Sequence, residues 1–330
     1  MNKLTIPKVL VGCALAAAWT VHAEEITAPQ VVEALEGTFG ATPGERRNHI
    51  KGTCAVGSFV GTPEAARHSR SQLFSGKSIP VVARFSLAGG NPKVPDTAKN
   101  ARGMALEFRL PTGELHHIAM LNTPVFGAAH PETFLNQTLA GRRDPATGKP
   151  DREKLKAFHA SHPDSQAQAE YLATHNPPAS YANSSFWGIH TFKFLDEQGR
   201  TTLVRWQFVP QDGEKRLSDE ALASAGPNFL ERSLIDRTHR APARWDMMVS
   251  IGHPGDSEND PTIAWPTNRE RFKAGTLSIT TAMPQKGAEC EPINFDPLVM
   301  ADGIAPTDDP ILLFRSPAYA VSFGKRLSEQ

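Results

Sequence analysis

The chain has 330 residues, with Lys+Arg 35 against Asp+Glu 35, 39% hydrophobic content, 27 Pro and 3 Cys. That length can bury a sizeable core in one large domain or two ordinary ones. Exact charge neutrality speaks against a chain built to coat nucleic acid or an anionic membrane, and three cysteines without a CxxC or Cys/His cluster exclude a zinc ribbon and a disulfide-dense miniprotein.

Residues 1–23 have the layout of a secretory signal. Lys3 and Lys8 come first with no acid, residues 9–21 are apolar apart from Thr20, and Val21-His22-Ala23 offers a small-x-small cleavage site. The apolar stretch is shorter than the ~20 residues that cross a bilayer. A lipoprotein cut at Cys13 is the second reading, and it would leave an apolar mature terminus. Cleavage after Ala23 removes Lys3, Lys8 and Cys13 and leaves a slight acidic excess with Cys54 and Cys290. Those two thiols either pair in an oxidising compartment or stay free and buried, and the sequence leaves both readings open.

No repeat, low-complexity tract or Gly/Ser linker divides the remainder, which reads as one domain over residues 24–330. Residues 28–39 pattern as a helix whose Val31, Val32, Leu35 and Phe39 share one face. Short β-rich runs follow at residues 55–60, 81–87, 104–110, 117–121, 191–195, 203–209, 247–251 and 277–281. Gly, Pro and Asn signals separate them at spacings that suggest an antiparallel barrel or sandwich. Residues 219–234 read as a helix. A last helix is expected to start at Ser316-Pro317, with Ser as N-cap and Pro as first residue. The class is α+β with a β core.

On that last helix Arg315 lies one turn before Tyr319, and Arg326 lies two turns after it. A guanidinium beside a phenol favours the phenolate, which can bind ferric iron. An isolated Arg-x-x-x-Tyr is ordinarily a surface arginine beside a half-buried tyrosine, so the rest of the chain has to decide.

It supplies, in one order, Arg46-Arg47-Asn48-His49-Ile50-Lys51-Gly52, Val82-Ala83-Arg84-Phe85-Ser86, Asp96-Thr97-Ala98-Lys99-Asn100-Ala101-Arg102-Gly103 and Asn122-Thr123-Pro124-Val125-Phe126. Trp187-Gly188-Ile189-His190-Thr191-Phe192-Lys193, Asp260-Pro261-Thr262 with Trp265-Pro266, Phe295-Asp296-Pro297 and the closing Arg-x-x-x-Tyr complete the set. From Arg46 to Arg326 the chain resembles the haem catalase superfamily, in its short branch of catalase-related peroxidases.

The resemblance implies a catalase-like antiparallel β-barrel with surrounding helices and a C-terminal haem-ligand helix, and haem b as cofactor. His49 matches the distal histidine that moves a proton between the peroxide oxygens, a role suited to an imidazole. Ser86 matches the serine that holds that ring. Tyr319 matches the proximal iron ligand and Arg315 the residue that keeps its oxygen anionic. Arg46, Arg84 and Arg326 match the arginines on the haem propionates, and Phe134 an aromatic ring against the haem face. His190 and Trp265 fall in matched blocks and receive no chemical role.

Two departures stand out. The family pattern has two consecutive asparagines before Thr-Pro, the first polarising bound peroxide, and here the pair reads Leu121-Asn122. Adjacent strand residues face opposite ways, so Asn122 is not expected to replace the missing amide. The chain is also shorter than a full catalase, which suggests a more accessible haem and peroxidase turnover with a small organic donor.

The expected function is therefore an exported haem b peroxidase acting on hydrogen peroxide, and on organic hydroperoxides as a further option. It would be periplasmic or secreted, with no nucleic-acid partner and no membrane association after signal cleavage. A weak catalase, a fatty-acid hydroperoxide converter and a non-enzymatic haem-storage protein are the alternatives.

Overall fold

The computed structural model describes Met1, residues 25–144 and residues 146–329. Apart from Met1, the expected signal at residues 1–23 lies outside the described residues. Among the described residues ten strands form one antiparallel sheet: β1 Gly52–Gly61, β2 Ser78–Leu87, β3 Arg102–Arg109, β4 Leu115–Leu121, β5 Phe186–Trp187, β6 Phe192–Leu195, β7 Thr201–Pro210, β8 Ala243–Ile251, β9 Arg271–Pro284 and β10 Ile304–Pro306. Their order is β10-β6-β7-β5-β4-β3-β2-β1-β9-β8, and a further pairing of β7 with β8 closes eight of them into a barrel. Closure removes the open edges an antiparallel sheet of this size would otherwise expose.

Period-two alternation divides the labour between the two faces of each strand. On β2, Val81, Ala83 and Phe85 join the barrel core with Phe59, Leu106, Phe108, Ile118, Phe186, Phe208, Trp245, Leu277 and Ile279. Val82, Arg84 and Ser86 therefore face outward, and so do Gly103 and Ala105 on β3, and Ala119 and Leu121 on β4. That outer wall carries the functional site.

Among the described residues eight α-helices surround the barrel: α1 Ala28–Phe39, α2 Pro63–His68, α3 Pro131–Ala140, α4 Arg152–Ser161, α5 Gln166–Thr174, α6 Asp219–Ser224, α7 Phe229–Arg240 and α8 Pro310–Ser328. Helix α1 starts with a reciprocal capping box between Thr27 and Gln30. Leu230 and Leu234 of α7 pack into the barrel core.

Two helix expectations need correction. The segment 219–234 is two helices, α6 and α7, because Gly226-Pro227 interrupts it. Helix α8 begins before Ser316: Asp309 is its N-cap, accepting from the Ile311 and Leu312 amides, with Pro310 in the first turn. Pro317 lies inside this helix, where it leaves the Leu313 carbonyl without its usual partner. The eight expected strands are present: most extend beyond the expected ends, whereas β6 starts one residue later, at Phe192, and β3 stops one residue earlier, at Arg109. Strands β5 and β10 escaped the sequence reading because two or three residues are too few to show alternation.

Cys54 of β1 and Cys290 form a disulfide with a Cα–Cα distance of 5.5 Å, which decides between the two readings of those thiols. The bridge sits under Val82, Phe295, Ala105, Met283 and Ile293 and pins the segment 285–296 to the outer wall of the barrel. Replacing both cysteines by serine should lower unfolding stability by about 2–5 kcal/mol, read from the denaturant midpoint of the oxidised protein against the variant.

Candidate haem site

A cavity opens on the outer wall of β2–β4, and α1, α8 and the segment 285–296 roof it. Every residue to which the resemblance gives a role at the haem lines it: Arg46, His49, Arg84, Ser86, Phe134, Arg315, Tyr319 and Arg326. Strand pairing sets Ser86 opposite Gly52, just after the loop that carries His49. Ser86 Oγ lies 2.9 Å from His49 Nδ1.

Gly103, beside Ser86 on β3, has to be glycine. A Cβ there would stand 2.7 Å from Ser86 Oγ and 3.1 Å from His49 Nδ1. The imidazole thus rests directly on the sheet.

Among the described residues His49 is the one non-glycine with positive φ, at 53°. A left-handed backbone costs such a residue on the order of 1–3 kcal/mol, and it persists only where surrounding bonds over-determine it. Here Arg84 Nη2 donates to the His49 carbonyl at 2.6 Å, and the His49 amide donates to Asn48 Oδ1 at 2.9 Å. Burial pushes the imidazole pKa down to about 3, and the charges of Arg84 and Arg315 push the same way. His49 is neutral over the ordinary working range, the form a proton acceptor needs.

At the opposite wall, Arg315 Nη2 donates to the Tyr319 hydroxyl oxygen at 2.9 Å. Arg315 Nη1 is 3.1 Å from His190 Nε2, and His190 Nδ1 is 2.7 Å from Asp309 Oδ2. Burial drives the His190 pKa down, opposed by its bond to Asp309. A guanidinium can only donate. The neutral ring therefore accepts at Nε2 and donates from Nδ1 to Asp309. The sequence reading left His190 without a role, yet it orients Arg315. Asp309 was missed altogether, although Asp309-Pro310 is a helix-start signal. Trp265 stays structural, its indole N–H on the Ser257 carbonyl.

Three guanidiniums gather at one end of the cavity. Arg46 Nη2 donates to the carbonyls of Cys290, Glu291 and Ile293. Arg326 donates to those of Glu291 and Pro292. Arg84 donates to Gln285 Oε1 and to the carbonyls of His49 and Ile50. Among the described residues all their acceptors are neutral, and Arg46 Nη1 and Arg326 Nε are buried without a partner. Burial lowers the Arg46 pKa to about 8, and the charges of Arg84 and Arg326 add to the fall. Buried cations with unused donors call for anions.

The two carboxylates of a haem meet that need, and a tyrosine oxygen held by an arginine suits ferric iron. Apolar walls suit the macrocycle: Val31, Val32, Leu35, Ile189, Ile311, and Phe126 stacked with Phe134 at 5.8 Å. The residues present fit the group.

Leu121 faces this cavity, as expected. Asn122 is turned away and buried, its Oδ1 accepting from the Arg102 amide at 2.7 Å.

Residues 37–330 match the sequence profile of the catalase family. The chain is 61% identical over 301 residues to a catalase-related peroxidase of Synechococcus elongatus, covering 91% of this chain and 89% of that one. It is 35% identical over 298 residues to a catalase-related peroxidase of Mycolicibacterium paratuberculosis, covering 90% and 94%. Solved structures of a fungal catalase (TM-score 0.80, 23% identity, 87% of this chain and 60% of that one) and of a bacterial catalase (TM-score 0.79, 25% identity, 94% and 63%) share the fold. The chain belongs to the catalase family, in its short catalase-related branch.

Two outcomes follow from this geometry. Since His49 is held neutral by burial, its ring resonances should not titrate between pH 7 and 5, where an exposed imidazole protonates, as read by NMR of the folded protein. Metal-free protoporphyrin should bind about ten- to a hundredfold more tightly than its dimethyl ester, by the charge-assisted bonds it alone can make. Fluorescence titration of the R46Q/R326Q variant should show that preference abolished.

Proposed function

We propose that this chain is an exported, haem b-dependent peroxidase that reduces hydrogen peroxide with electrons from a small organic donor. One observation carries the reading: a single cavity brings the neutral His49–Ser86 pair to one wall and the Tyr319–Arg315–His190–Asp309 chain to the other. The names of the two relatives matched over most of their length point the same way.

Arg46, Arg84 and Arg326 would hold the haem carboxylates, Phe134 and Phe126 would pack on the macrocycle, and Tyr319 would ligate the iron. When bound, the haem would supply the redox chemistry for peroxide reduction. His49 manages the proton. With Nδ1–H donating to Ser86 Oγ, the free Nε2 takes the proton of one peroxide oxygen and returns it to the other, which departs as water. Arg315 donates to the phenolic oxygen of Tyr319, and Asp309 through His190 keeps Arg315 from turning away. Leu121 and the apolar walls make room for an alkyl group, which supports organic hydroperoxides as additional oxidants. A haem-storage role has no use for the paired His49 and Ser86.

The layout of residues 1–23 and the Cys54–Cys290 bridge support a periplasmic or secreted protein of one haem-binding domain over residues 24–330.

In haem-loaded protein, His49→Ala should lower peroxide-dependent dye oxidation by about a hundredfold or more. Unchanged turnover would remove the acid–base assignment. Tyr319→Phe should abolish the tyrosinate-to-iron absorption features. Oxygen release without a donor, at a rate matching dye oxidation, would replace the peroxidase reading with dismutation.

A further inference from the structure

The wall beside His49 lacks the amide expected at position 121, and its other polar groups are engaged: Ser86 holds the imidazole and Asn122 faces elsewhere. Asn48 remains, and it too lines the cavity. Its Oδ1 accepts from two backbone amides, His49 N at 2.9 Å and Gly89 N at 2.7 Å. Two N–H donors on one atom fix the orientation of the amide, because only its oxygen can accept. A parallel bond from Ile50 N to the Gly89 carbonyl at 3.2 Å closes the same junction. Asn48 Nδ2, the other polar atom of the same planar amide, makes no hydrogen bond among the described residues, and it is not among the buried atoms that lack a partner.

We infer that Asn48 does two jobs in this chain. Its Oδ1 staples the left-handed His49 to the Gly89 turn, and its Nδ2 is the hydrogen-bond donor to the peroxide oxygens that Leu121 does not provide. The inference rests on the peroxide-cleaving reading of the His49 cavity. It moves the distal amide from strand β4 to the residue preceding the acid–base histidine, so a donor and the imidazole are placed by one rigid turn.

Physically the two jobs are separable. The staple belongs to the backbone and exists without cofactor. The donor acts on whatever oxygen or halide occupies the distal space, with a neutral-donor bond to an anion amounting to about ten- to a hundredfold in affinity.

Three proteins test it: the parent, Asn48→Ala, and Asn48→Ala combined with Leu121→Asn. In the cofactor-free forms, hydrogen exchange at the His49 and Gly89 amides should speed up in both variants. Unaltered exchange overturns the staple. In the haem-loaded forms, the probe is fluoride, titrated by the absorption change of ferric haem. Its dissociation constant should rise about tenfold or more in Asn48→Ala and recover in the double variant, which restores an amide on the other wall while leaving the staple broken. An unchanged constant in Asn48→Ala overturns the donor role. A loss that Leu121→Asn does not repair also overturns it, because the loss then came from displacement of His49. Fluoride binding needs no turnover, so these results stand apart from the His49→Ala activity test of the peroxidase reading.

Discussion

Three guanidinium groups buried within one cavity repel each other, and the rest of the structure is arranged around keeping them there. Arg84 comes from a barrel strand, Arg46 from the loop before β1 and Arg326 from the last helix. Among the described residues none has a carboxylate hydrogen-bonded to it, so backbone carbonyls of the segment 285–296 satisfy Arg46 and Arg326 instead. A neutral carbonyl relieves a donor without cancelling its charge, and the field therefore remains available to an anion. The disulfide matters for this reason. It holds in place the stretch of backbone whose carbonyls aim both side chains, and Cys290 is itself one of the acceptors.

The two walls of the cavity handle protons in opposite ways. At the His49 wall, burial and nearby cations keep the imidazole neutral and leave one nitrogen free to take a proton. At the Tyr319 wall, each polar group is held by the next: a carboxylate fixes a neutral imidazole, which accepts from an arginine, which donates to the phenol. The first arrangement is poised to exchange a proton and the second is locked against doing so. A redox cofactor placed between them would have one reactive face and one constant face.

Much of this was legible in the sequence, and the illegible parts share a cause. Eight strands were visible through alternation, and the contents of the cavity through the ordered blocks, with His49, Ser86, Tyr319 and four arginines all brought together. The role of His190 was hidden because it acts on Arg315 and not on the cofactor, and its partner Asp309 lies far along the chain. The start of α8 was misplaced because Ser316-Pro317 imitates a cap that Asp309-Pro310 makes in fact. Gly103 and Asn48 serve through the space or the hydrogen bond they give His49, and no spacing rule records either. The reading of Asn122 succeeded because it rested on strand geometry alone.

Helix α1 and helix α8 come from opposite ends of the described chain, and both line the same cavity. Glu36 of α1 joins them by pairing with Lys325 and with the buried Arg47, which also meets Glu329. A cofactor gripped by Arg46 near one end and by Tyr319 and Arg326 near the other ties the termini together, as a covalent cross-link does, without being one. By thermodynamic linkage, whatever stabilises the docked last helix raises cofactor affinity, and the bound cofactor returns the same free energy to the docking. Detachment of the last helix and loss of the cofactor are then one opening event, and the barrel beneath can outlast both.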